Sequence, residues 1–204
     1  MPLADVSPAD TTLVAVVLAG GQSRRFGADK LDADLGDGSL LEHALAGLPA
    51  DTDLIIVGPP RAVHRPARFV REEPAGTGPT AAMIAGLSAA LDPAPGAIVV
   101  LPGDAPAAGA AAMVLLAVLR ADPEASIVMA TDGAGREQPL QLALRPAGAV
   151  ALILAAGESK GAAQSARGLL GRLQPLPRAV ALAAADHFDI DTVEDLDAWT
   201  ITQR

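Results

Sequence analysis

Short, uninterrupted apolar runs alternate along this chain with longer segments of helical spacing. Residues 13–18, 53–57 and 97–101 are rich in β-branched side chains and end in glycine or proline, the form of strands buried on both faces. Weaker runs predict further strands around 68–70, at 126–130 and at 140–144, and a last short one at 187–190. Between them, helices are expected over 39–48, 80–91 and 107–121, where Met113, Leu116 and Leu119 recur at about one helical turn. Residues 155–178 are poorly patterned, with a helix expected near 162–173. Thr192 and Asp195 form a capping-box-like start to a final helix, Asp standing where Glu or Gln is usual.

Strands alternating with helices imply crossover connections. The expected fold is α/β, a Rossmann-like three-layer αβα sandwich with a mostly parallel sheet. Ligands of such sheets bind at the carboxyl ends of the strands. Residues 1–11, polar and proline-containing, are expected to be a flexible tail, and 12–204 a single domain.

Composition narrows the partners. A formal net charge of −9, one Trp, three Phe and no Tyr supply neither the basic groove nor the aromatic platforms of a nucleic-acid binder. The absence of cysteine excludes disulfides and thiolate metal sites. No basic leader precedes an apolar stretch, and no run of about 18 apolar residues is present, so a cytoplasmic protein without a membrane span is expected. His43, His64 and His187 are scattered, without zinc-site spacing.

The first strand runs directly into Leu18-Ala-Gly-Gly-Gln-Ser-Arg-Arg-Phe-Gly-Ala-Asp-Lys30. Gly20 and Gly21 free the backbone to turn its N–H groups onto an anion. Arg24, Arg25 and Lys30 are the densest positive cluster in an acidic chain. Backbone donors plus local cations are what a triphosphate and a departing pyrophosphate need. A dinucleotide fingerprint would require glycines where Gln22 and Arg25 stand, and a Walker A loop would require Lys directly after Gly27. An ordinary β-to-α turn with surface cations explains a lone Gly-Gly but not the whole string.

Asp104 follows the 97–101 run, where a carboxylate would face the ligand crevice; it is placed either to hold a cation or to cap the next helix. Asp189 and Asp191 alternate and so share one strand face, suited to completing a metal site or orienting an acceptor. Glu73 ends the third strand and could accept hydrogen bonds from a base; Gly78 would permit close backbone approach.

The string LAGGQSRRFGADK resembles the LAGGxSxRxGxDK signature of the molybdenum cofactor guanylyltransferases and their nucleotidyltransferase relatives. The resemblance continues in order. Gly78-Pro79-Thr-Ala-Ala is similar to GPLAG, Leu101-Pro-Gly-Asp104-Ala-Pro106 to the family's aspartate-bearing strand end, Asp132-Gly133 with Gln138-Pro139-Leu140 to DG…QPL, and Phe188 to Leu196 to NxNTPEDL. It implies the nucleotide-diphospho-sugar transferase type of fold and guanylyl transfer from GTP to molybdopterin with Mg2+. Carried over by motif, the catalytic residues would be Arg25, Lys30 and Asp104. Leu18, Ala19, Gly20, Gly21, Glu73 and Gly78 would join them in binding nucleotide, Asp104 and Asp191 would hold metal, and Gln138 and Asp189 would meet the acceptor. Such an enzyme would hand its product to molybdoenzymes or their chaperones.

Departures keep other readings open. Val57-Gly58 replaces an Asn, GPTAA replaces GPLAG, and Asp189 and Asp191 stand where Asn is frequent. Cytidylyl transfer, transfer to another phosphorylated metabolite, and a non-catalytic nucleotide binder are the alternatives. The double glycine favours the guanylyl branch over LAAG-type cytidylyl relatives, and Ser23-Arg24 departs from the LAGGxGTR of sugar-nucleotide enzymes.

Overall fold

A computed structural model describes residues 12–20, 29–92 and 94–183, and beyond them Ile190, Thr192, Asp195 and Trp199. Among these residues seven strands form one sheet: β1 (Leu13–Leu18), β2 (Asp53–Val57), β3 (Ala67–Val70), β4 (Ala97–Pro102), β5 (Ile127–Thr131), β6 (Glu137–Leu144) and β7 (Arg178–Ala181). Their order is β3-β2-β1-β4-β6-β5-β7. Neighbours run parallel except around β6, which is antiparallel to both β4 and β5. The mostly parallel sheet expected from the alternation of elements is the one found.

Five α-helices are described: α1 (Leu40–Leu45), α2 (Pro79–Ala90), α3 (Ala108–Ala121), α4 (Pro146–Ala156) and α5 (Ala166–Leu170). The period-2 alternation of the strands divides the core into two faces. Leu13, Ala15 and Val17 of β1 pack with α1 and α3, whereas Val14 and Val16 pack with α2, α4 and α5. Three layers result, as the sequence pattern implies. Pro79 and Pro146 occupy the first turns of α2 and α4, where a fixed φ is pre-organised for a helix and the missing N–H is not needed.

Two elements were not anticipated. α4 is apolar nearly all round, with Leu152 buried and Leu154 exposed, so no stripe marks it in the sequence. β7 is a four-residue edge strand with three exposed positions. The helix expected over 162–173 is only the short α5. β6 starts at Glu137, and its register against β5 shifts between Met129 and Ala130, taking up Pro139, which cannot donate to a ladder.

Residues 1–11 of the expected tail and 187–189 of the expected last strand lie outside the described residues. The capping box at 192–195 is formed: Thr192 N–H donates to Asp195 Oδ2 at 2.8 Å, and Asp195 N–H donates to Thr192 Oγ1 at 3.2 Å. Asp195 and Trp199 are helical. No helix among the described residues is long and apolar enough to cross a membrane.

Candidate active site

The topology opens a crevice beside β1. From β1 the chain crosses through α1 to β2 on one side, and from β4 it crosses through α3 toward β5 on the other. Both helices cover the same face. Where successive crossovers diverge, the carboxyl ends of the two strands are left uncovered, and ligands of open α/β sheets bind there.

The strand ends at this crevice are tied together beyond their ladders. Gly103 N–H donates to Leu18 O at 2.9 Å, Ala19 N–H to Val57 O at 2.9 Å, and Gly58 N–H to Val70 O at 3.0 Å. Leu18, Ala19 and Gly20 therefore sit between the ends of β2 and β4, where a nucleotide-binding backbone is expected. Gly58 is sterically required: a Cβ there would lie 2.5 Å from the Ala19 carbonyl oxygen.

Across this crevice Lys30 Nζ meets Asp104 Oδ2 at 2.7 Å. Lys30 opens a 3₁₀ turn (Lys30–Asp32) whose cap is Asp29, its Oδ1 accepting from Leu31 N–H at 3.2 Å. Asp104 lies two residues past β4 and leaves the next helix uncapped: α3 begins at Ala108, with Ala107 at the cap and no side-chain hydrogen bond. The capping role open to Asp104 in the sequence is thus not the one it takes. Its backbone carbonyl accepts from the N–H of fully buried Ile190 at 2.9 Å. That bond brings the residue between Asp189 and Asp191 against Asp104, although those two aspartates, with Gly21, Arg24 and Arg25, lie outside the described residues.

Gln138 reaches the same edge of the sheet because β6 is antiparallel: it pairs with Ala130 near the carboxyl end of β5. Gly78 caps α2 with φ 108° and ψ 171°, a region open essentially to glycine alone. Glu73 is exposed and lines a cleft of about 390 Å³ with Arg71, Ile153 and Lys160, between the β3–α2 connection and α4. Among the described residues no three His, Asp or Glu side chains gather as a metal cage. Magnesium needs only one or two carboxylates beside phosphate oxygens, and Asp104 offers hard oxygens of that kind at the crevice.

One residue of this region, Arg61, has no counterpart in the motifs of the sequence. Arg61, with its side chain 7% exposed, donates from Nη2 to Ala19 O at 3.3 Å and pairs with Asp29 Oδ2 at 2.9 Å and Asp32 Oδ1 at 3.4 Å. Burial pushes the Asp29 carboxyl up, but hydrogen bonds from Arg61 and the Leu31 amide, with the Arg61 charge, outweigh it and leave the group below its ordinary value. The sequence signal was slight, a single Arg after Gly58-Pro59-Pro60.

Solved structures share this architecture. The Mycobacterium sp. strain JC1 homolog of Mycobacterium tuberculosis Rv0371c is 24% identical with TM-score 0.68, covering 93% of this chain and 96% of its own. Molybdopterin-guanine dinucleotide biosynthesis protein A from Archaeoglobus fulgidus is 20% identical with TM-score 0.67, covering 93% and 98%. A CMP:2-keto-3-deoxy-manno-octonic acid synthetase complexed with CTP is 12% identical with TM-score 0.70, covering 95% and 98%. These likenesses show the fold. No curated protein matches the chain. The family model for the MobA-like NTP transferase domain matches residues 15–176, most of the sequence, and the chain belongs to that family of nucleotidyltransferases.

Proposed function

We propose that this chain transfers a guanylyl group from GTP to the terminal phosphate of molybdopterin, releasing pyrophosphate. The observation that carries the transferase reading is the Lys30–Asp104 pair, which sets a cation and a carboxylate 2.7 Å apart beyond the carboxyl ends of β1 and β4. An acceptor phosphate oxygen attacks the α-phosphorus in line. The bond from that phosphorus to the bridging oxygen breaks, and pyrophosphate leaves with the electron pair. Such transfers depend on positioning and electrostatics and need no protein nucleophile.

Within this reading the backbone of Leu18 to Gly21 cradles the triphosphate, Arg25 meets the departing phosphates, and Lys30 offsets charge on the transferring group. Asp104, with Asp191, holds the divalent cation, which when bound supplies further positive charge at the phosphates. The bond from Ile190 N–H to Asp104 O supports Asp191 in that role and Asp189 at the acceptor. Gln138 at the same sheet edge supports its acceptor role, while Glu73 and Gly78 serve base and ribose. A cytoplasmic enzyme of this kind would pass its product to molybdoenzymes or their chaperones.

Cytidylyl transfer is the second reading, because Val57-Gly58 stands where the family carries an Asn near the base. The deciding experiment is pyrophosphate release with GTP, CTP, ATP or UTP, with magnesium, and with or without molybdopterin. Release only with GTP and molybdopterin is the expected result. Release only with CTP replaces the first reading by the second, and no release with any triphosphate overturns transfer to this acceptor.

A further inference from the structure

We propose that Arg61 is a positioning residue for the transfer reaction, clamping the two roots of the 20–28 segment together and so setting Lys30 against Asp104. The inference rests on the transferase reading above. Ala19 ends just before that segment and Asp29 begins just after it, and the Arg61 guanidinium bonds to both, at 3.3 Å and 2.9 Å. Its second branch reaches Asp32 at 3.4 Å, the last residue of the 3₁₀ turn. Asp29 is thereby used twice. One oxygen takes Arg61, and the other takes the Leu31 amide that starts the turn carrying Lys30.

The chemistry of the clamp favours this role over substrate binding. The charge of Arg61 is already met by two carboxylates and a carbonyl. A planar fork holds three acceptors on two chain segments in one fixed geometry, which a freely rotating ammonium does not impose. The Nε–H is buried without a partner among the described residues, a desolvation cost that a simpler structural tie would avoid. The same β2–β3 connection contains such a tie. Arg65 donates to Leu48 O, Pro49 O, Ala50 O and Thr52 O, none of them at the crevice.

Arg61→Gln, Lys30→Ala, their double variant and Arg65→Gln separate the possibilities. Arg61→Gln is expected to lower kcat/KM roughly ten- to a hundred-fold, as misplaced catalytic groups do. In the Lys30→Ala background it should add little, because the clamp acts through Lys30. Arg65→Gln should lower the Tm and leave kcat unchanged. Multiplying effects of Arg61→Gln and Lys30→Ala would overturn the proposal, as would an equal activity loss in Arg65→Gln. Amide hydrogen exchange at Leu31, Asp32 and Ala33 tests the clamp without turnover. Faster exchange in Arg61→Gln is expected, and unchanged exchange refutes the clamp. Absence of turnover in the wild-type protein would instead refute the transferase reading, leaving exchange to judge the clamp.

Discussion

Lys30 and Asp104, separated by 74 positions in the chain, meet as an ion pair at 2.7 Å beyond the carboxyl ends of β1 and β4. Neither side chain is deeply buried, at 16% and 29% exposure, so the pair contributes only about 0.2–1 kcal/mol to stability. Its value lies in placing charge at the crevice. Asp104→Ala is therefore expected to abolish pyrophosphate release, and Lys30→Ala to lower it roughly a hundred-fold or more. Both should unfold within a few degrees of the wild-type protein. Substantial turnover in Asp104→Ala would remove that carboxylate from the reaction.

How much of this was legible beforehand depended on whether packing leaves a pattern in the sequence. β1, β2 and β4 are buried on both faces, so each announces itself as an unbroken apolar run ended by glycine or proline. Asp104 was legible because it follows such a strand end by two residues, and Lys30 because it closes the basic string that begins at Leu18. α4 was not: with Val150 and Leu154 exposed beside buried Ala149 and Leu152, its apolar residues face both ways. β7 was hidden for the opposite reason, being an edge strand with little to bury. Arg61 acts through partners 29 to 42 residues away in sequence, and its surroundings read locally as a surface turn.

The end of β2 carries a prediction about space. Gly58 N–H bonds to Val70 O while a Cβ on Gly58 would meet Ala19 O at 2.5 Å and Ala19 C at 2.7 Å. Backbone pressing on backbone has no flexible side chain to yield. Gly58→Ala is expected to cost about 1–3 kcal/mol, as overpacking does, and to displace the first residue of the glycine turn. Urea unfolding should show the loss, and titration with a nucleoside triphosphate should show weaker binding. Unchanged stability would mean that β1 and β2 part there without strain.

Asp122 gives the pH dependence a defined source away from the crevice. A hydrogen bond from Arg178, followed by one from the Glu124 amide, holds the Asp122 carboxyl below its ordinary value, and this contact ties the end of α3 to β7. A group with a lowered folded value binds its proton more readily when unfolded. Its stabilisation is full above the unfolded pKa of about 3.9 and fades as pH falls through the lower folded value. The stability difference between wild type and Asp122→Asn should be constant from about pH 6 to 8 and shrink below about pH 4. A difference that grows on acidification would contradict this, and pyrophosphate release at neutral pH should be the same in both.

Gly78 offers the sharpest test of where the nucleotide lies. Its φ of 108° and ψ of 171° start α2, whose first turn is closed by Ala82 N–H donating to Gly78 O at 3.1 Å. No atom lies within 4 Å of a Cβ built at this position, so Gly78→Ala meets no steric obstacle in the protein itself. The cost is conformational, about 1–3 kcal/mol for an L-residue held in this region, and it appears in unfolding whether or not nucleotide binds there. Binding adds a separate effect. If the nucleotide packs against this backbone, as the resemblance to GPLAG implies, the new methyl group occupies the space it needs. KM for the triphosphate should then rise well beyond the change in kcat. A variant that loses stability but keeps its KM would leave Gly78 as the entry to α2 alone, and the base and ribose would have to be sought elsewhere along the crevice.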